Sequence, residues 1–286
     1  SDASLSQVVN NTISDTSYSV YVTYSNNNNV SANTLSNNSW NIYLAYSNSN
    51  VVGNNVALGG SVGIQIMRSQ GNSVFNNTVS SSSYGIYLGY CGINTVSGNT
   101  ASLNDWGIEL YSSTGSTIKE NTVLDNTWGI YIAQESNGNS IHHNNFMDNV
   151  KQAYQDLSSS NTWRTSTIPY QGNYWSDYKG NDNNGDGIGD TYLPWAGVDW
   201  YPLMAPWGVH DIAITSVTVS ATQVTQGETV NITAIAKNEG MTETFTVTTY
   251  ANSTIIGQQT ISSLAPGTSE TLVFTWNTST FSTGIY

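Results

Sequence analysis

The chain has 286 residues, enough for two domains or for one unit built of repeats. With 9% charged and 38% hydrophobic residues it is neither a coiled coil nor a highly charged disordered chain. Six Lys and Arg against 19 Asp and Glu leave a net charge of -13, which repels phosphate backbones and anionic headgroups and excludes nucleic-acid binding.

The single cysteine, Cys91, excludes a disulfide framework, a Cys-based zinc site, C-x-x-C-H haem attachment and an iron–sulfur cluster. No stretch reaches the roughly 18 apolar residues of a membrane span, and no signal peptide opens the sequence, as expected of a soluble, processed segment. Residues 1–165 repeat with a spacing of 22. Val20, Ile42, Ile64, Ile86, Ile108 and Ile130 form one apolar column, accompanied two residues on by Val22, Leu44, Ile66, Leu88, Leu110 and Ile132. A second column reads Val8, Val30, Val51, Val74, Val96, Ile118 and Ile141; a third reads Ile13, Leu35, Val56, Val79, Ala101, Val123 and Phe146, with one-residue drifts assigned to turns. Asn28, Asn50, Asn72, Asn94, Ser116 and Asn139 form a polar column, and Asn11, Asn33, Asn54, Asn77, Asn99, Asn121 and Asn144 form another. Stacked Asn side chains can hydrogen-bond along a ladder and satisfy turn backbone.

Three short β-prone stretches per repeat, separated by Asn, Ser and Gly turns, define one coil of a parallel β-helix. The spacing is not a multiple of six, which favours the right-handed form over a left-handed hexapeptide helix. A leucine-rich repeat shares the period and stays an alternative, although the polar, β-prone stretch from Gly98 to Asn104 lacks its leucines. The repeat, as in Trp106-Gly107-Ile108-Glu109-Leu110 followed by Asn121, resembles a broad family of β-helix repeats. That family includes periplasmic copper-processing proteins of nitrous oxide reduction, carbohydrate-active enzymes and archaeal surface proteins.

Residues 166–207 break the period and are expected to form a Trp-rich cap over the last coil. Within them Asp182, Asn184, Asp186 and Asp190 stand at positions 1, 3, 5 and 9 of a calcium loop, with Gly187 at position 6 and the Ile188 carbonyl as a further ligand. Calcium bound there would order the junction between the two β units. Position 12 is Leu193, so a bidentate carboxylate must come from elsewhere, and Asp199 is the nearest. The block resembles the segment that closes the β-helix of archaeal surface proteins.

Residues 208–286, from His210 on, carry alternating strands at Asp211-Ile212-Ala213-Ile214, Thr229 to Ala234, Thr244 to Val247 and Thr271 to Phe274, with turns at Asn238-Glu239-Gly240 and Ala265-Pro266-Gly267. This is the pattern of a β-sandwich. It resembles the cell-adhesion-related Ig-like domain of prokaryotic surface proteins and stops before that family's last strand.

The outward column between the best apolar ones reads Tyr21, Tyr43, Gln65, Tyr87, Glu109 and Tyr131, one carboxylate and no acid/base pair. Glu120 stacks near His143 and Asp125 near Asp148, without Lys or Arg to activate a uronate. His142 and His143 are expected in exposed turns, and Cys91 replaces the serines of the column Ser25, Ser47, Ser69 and Ser113. Four Met, three His and one Cys are too scattered for copper. Seven N-glycosylation sequons, at Asn10, Asn29, Asn37, Asn76, Asn231, Asn252 and Asn277, are no more than composition supplies.

The expected fold is all-β, a right-handed parallel β-helix followed by an Ig-like sandwich. The expected function is that of an extracellular, non-enzymatic structural or adhesive surface protein. Calcium is its cofactor, and self-association into a filament or layer, or contact with neighbouring surface proteins, supplies its partners. The alternative is a carbohydrate-binding or carbohydrate-active β-helix using the Tyr face or the Glu120/His143 patch.

Overall fold

The computed structural model describes residues 5–208, 211–240, 242–265 and 267–286. His210 and Pro266, assigned above to the start and a turn of the second domain, lie outside them. The described residues divide into two compact units, one of residues up to 183 with 188–203, the other of 184–187 with residues from 204 on.

The first unit is a parallel β-helix of about seven coils. Each coil contributes one strand to each of three parallel sheets. The first sheet has seven strands, from Gln7–Val9 to Ser140–His142; the second has eight, from Thr12–Ser14 to Tyr174–Trp175; the third has seven, from Tyr18–Thr23 to Lys151–Gln155. A fixed spacing of 22 puts like residues on like positions, so each apolar column becomes a continuous stack in which every side chain meets its own kind above and below. Ile42, Ile64, Ile86, Ile108 and Ile130 are all fully buried, as are Leu44, Ile66, Leu88, Leu110 and Ile132. Each is worth about 1.5–3 kcal/mol relative to exposure.

Two columns need correction at the third coil. Val52, not Val51, pairs with Val30 and Val74, and Ala57, not Val56, pairs with Leu35 and Val79. Val51 is 37% exposed while Val52 is 0%. The period is unbroken there: of two adjacent valines the spacing places the second inward, and in the other column it places the small Ala57 inward and not the larger Val56. The same slip put Asn54 in a ladder to which Asn55 belongs. The real insertion falls later, where Ile118 pairs with Ile141 and Ser113 with Ser136.

The corners are held by ladders. Asn99 is representative: its Oδ1 accepts from the backbone N–H and the side-chain amide of Asn77, both at 2.9 Å. Its Nδ2 donates to the carbonyls of Val74 and Ser97 and to Asn121 Oδ1, at 2.9, 3.1 and 2.9 Å. One side chain thereby satisfies turn groups on three successive coils, which an interior corner needs because buried backbone polar groups must be paired. A third ladder, absent from the columns read in sequence, runs through Ser82, Asn104, Asn126 and Asn149. A fourth is built of hydroxyls, with Cys91 in place of one: its N–H donates to Ser113 Oγ, and its buried thiol donates to a carbonyl.

The end of the core is plugged by tryptophans. Trp175 is fully buried and stacks on Phe146 with ring centroids 4.5 Å apart. Its indole N–H donates to Asp199 Oδ2 at 3.0 Å, which also accepts the backbone N–H of Asn173 at 2.8 Å, while Oδ1 accepts the N–H of Tyr201 at 2.9 Å. A Cβ at Gly172 would sit 2.1 Å from Asp199 Oδ1, so only glycine admits this carboxylate. Asp199 is therefore committed inside the cap and is not the supplementary calcium ligand expected for it.

In the second unit, strands Ile212–Val219, Thr229–Asn238 and Ser269–Asn277 form one antiparallel sheet, and Glu243–Ala251 with Thr254–Leu264 form another. Ile232, Ala234, Leu272 and Phe274 of the first meet Ile261 and Leu264 of the second in one core, as in a sandwich. Thr254–Leu264 was not read from the sequence, because Gly257 and Gln258-Gln259 interrupt its alternation. Asn238 is buried in its turn, accepting from Gly240 N–H at 2.9 Å and donating to the Leu264 carbonyl at 2.7 Å.

Candidate functional site

The outer face of the third sheet is aromatic because five of its seven strands start with Tyr or Trp (Tyr18, Trp40, Tyr84, Trp106, Trp128) and five carry Tyr three residues later (Tyr21, Tyr43, Tyr87, Tyr131, Tyr154). Tyr18 stacks on Trp40 and Tyr84 on Trp106, each at 4.8 Å; Tyr21 stacks on Tyr43 at 5.2 Å and Tyr131 on Tyr154 at 4.6 Å. Arg68 lies between the rings of Tyr46 and Tyr90, 5.7 and 5.3 Å from their centroids. Such ring pairs and cation contacts are worth about 0.5–1.5 kcal/mol each.

Glu109 interrupts the tyrosine column, with Tyr87 and Tyr131 as register neighbours. It is only 7% exposed, and its Oε2 has no hydrogen-bond partner. Burial among the rings raises its carboxyl to about 7. A carboxyl raised on folding binds its proton more tightly in the native chain than in the unfolded one. Its favourable contribution is full below the ordinary carboxylate range and is lost as pH rises through about 7. Glu109→Gln, the residue type already present at Gln65, should raise the unfolding free energy at pH 8 by about 2 kcal/mol and change it little at pH 5. Urea denaturation of both chains at the two pH values measures this; equal gains at both would show that the charge is not the cause.

Glu120 and His143 occupy the same corner position on consecutive coils, both at positive φ. His142 and His143 are not exposed turn residues. His142 ends the strand Ser140–His142, its Nδ1 buried and unpartnered, and His143 is 8% exposed with Nε2 3.1 Å from Gln171 Oε1. Gln171 and Gly172, beyond the last repeat, hydrogen-bond to His143 and help to bury it, which a repeat-by-repeat view of exposure misses. Burial, then the neighbouring His142, lowers the His143 imidazole to about 4, which makes it a poor base beside Glu120.

In the acidic loop, Gly185 and Gly187 have φ of 77° and 84°. Asp186 N–H donates to Asn184 Oδ1 at 2.9 Å, and Asp190 Oδ2 accepts the Asn183 N–H at 2.7 Å. Ile188 is buried and pairs with Leu203. Among the described residues no three His, Cys, Asp or Glu side chains gather as a metal-binding group.

Residues 1–180 match the model of the family described as periplasmic copper-binding protein (NosD). The chain belongs to the NosD family. Residues 209–286 match the CARDB model, an adhesion-related domain. No curated protein matches the chain. A NosD β-helix joined to a CARDB domain fits a surface or periplasmic protein, and no helix among the described residues is long and apolar enough to cross a membrane.

The copper of the NosD description does not fit the donors among the described residues. Soft thiolate, thioether and imidazole ligands would have to converge. Cys91 is sealed in a corner ladder, its thiol pushed up by burial; Met67 lies on the third sheet and Met147 on the second; the two adjacent histidines lie on the first. No copper step is derived for this chain.

Proposed function

We propose that this chain is an extracellular structural and adhesive surface protein and not an enzyme. The observation that carries the proposal is the pairing of a β-helix, rigid through its Asn ladders, with an adhesion-related CARDB domain. Its outer face sets the buried carboxyl of Glu109 among aromatic rings. Antibody labelling of intact cells that produce the chain tests the location: signal without lysis is expected, and signal only after lysis overturns it. Self-association into a filament or layer is the finer form of the proposal, which electron microscopy of the purified chain tests.

Calcium at Asp182, Asn184, Asp186, Asp190 and the Ile188 carbonyl belongs to the same proposal. Hard oxygen donors and the turn at Gly185 and Gly187 support it. Removing calcium from a site held at about 100 times its Kd should lower stability by about 2.7 kcal/mol. A melting curve unchanged by chelator removes calcium from the account.

A further inference from the structure

The third sheet ends at Lys151–Gln155, and among the described residues no further strand pairs with this last rung. Tyr154 closes the tyrosine column there. Tyr131 stacks on one face of its ring, with planes 18° apart, so the other face is turned away from the coils. An open cleft of about 610 Å³ lies beside it, lined also by Trp128, Tyr192, Pro194 and Trp195. Tyr192 is exposed, and Trp195 is held by its indole N–H, which donates to Asp177 Oδ1 at 3.2 Å. Lys151 and Asp177, both exposed, bring a cation and an anion to the lining. Lys151 Nζ rests 4.2 Å from the centroid of Trp128.

We propose that this cleft binds a neutral saccharide, with one sugar ring stacked on the open face of Tyr154. The inference deepens the adhesive proposal above by naming the chemical class of what is bound. A pyranose ring offers an apolar C–H face to an aromatic ring and a rim of hydroxyls that both donate and accept. Lys151 only donates and the Asp177 carboxylate only accepts, so together they suit hydroxyls. The volume lies within the range of small-ligand sites. An anionic polymer would approach a chain of net charge -13 and meet Asp177, and a cationic one would meet Lys151. An apolar peptide side chain would desolvate both charges without pairing them.

The test uses the full chain and calorimetry with cellohexaose, chitohexaose and mannohexaose. At least one should bind. Tyr154→Ala and Tyr192→Ala should each weaken it about tenfold, whereas Tyr154→Phe, and Tyr21→Ala at the far end of the same face, should leave it within about twofold. Circular dichroism of Tyr154→Ala confirms that its fold is kept, and Tyr192→Ala, at an exposed ring, gives the same readout independently. No binding of any of the three, or binding indifferent to both alanine variants, overturns the inference. So does a proline-rich or aromatic peptide that binds at Tyr154 where the sugars do not. Attachment of cells to immobilised chain is measured in parallel: attachment without sugar binding leaves the adhesive proposal standing and removes only the saccharide.

Discussion

Ile108→Asp should cost more than about 4 kcal/mol and unfold several coils, because it places an unpaired charge in a stack with no polar partner. Ile108 is fully buried, with Ile86 and Ile130 as its register neighbours on the coils either side. The penalty cannot be shed by turning the side chain outward, since a one-residue slip would expose every apolar residue of that strand. Tyr87→Gln, one strand away on the outer face, should cost within about 1 kcal/mol, as Gln65 already occupies that column. Denaturant unfolding of the two variants gives the comparison, and equal losses would mean that the inward and outward faces are misassigned.

Asn99→Asp should be the more informative loss. The substitution keeps size and shape but replaces the amide that donates to Val74, Ser97 and Asn121 with a second acceptor, or with a charge, at a fully interior corner. Leaving those carbonyls and the carboxylate unsatisfied should cost about 3 kcal/mol or more. Asn99→Ser should cost about 1–2 kcal/mol, because a hydroxyl still donates and accepts; Ser116 fills the equivalent place in the neighbouring ladder, accepting from Asn94 N–H at 3.2 Å. Equal destabilisation by Asp and Ser in thermal unfolding would mean that the amide donors do not hold the corner.

These two positions show what a repeat makes legible. The β-helix could be read from the sequence because each coil restates the same constraints, so Ile108 and Asn99 are each supported by their equivalents a period away. At Val51 and Asn54 an identical residue follows at once, so residue type does not point to the column and only the spacing does; Ala57 is smaller than Val56, yet its place in the column is fixed by the strands on either side. What does not repeat was less visible. Burial of His143 depends on residues such as Gln171, which no period places beside it. Asp199 looked like a surface ligand because its partners Asn173, Trp175 and Tyr201 are brought to it only by the fold of the cap. Glu109 was correctly placed on the outer face, but its burial comes from the large rings of adjacent coils.

The proposed role makes the β-helix a binding platform without catalytic machinery. The cleft beside Tyr154 offers aromatic rings and opposite charges, and Glu120 faces a histidine whose proton affinity is too low to serve it as a base. Incubating the purified chain with neutral polysaccharides, and assaying both retention on them and new reducing or unsaturated ends, tests this most directly. Retention with no new chain ends is the expected result; release of chain ends that is lost in Glu109→Gln or Glu120→Gln would contradict it.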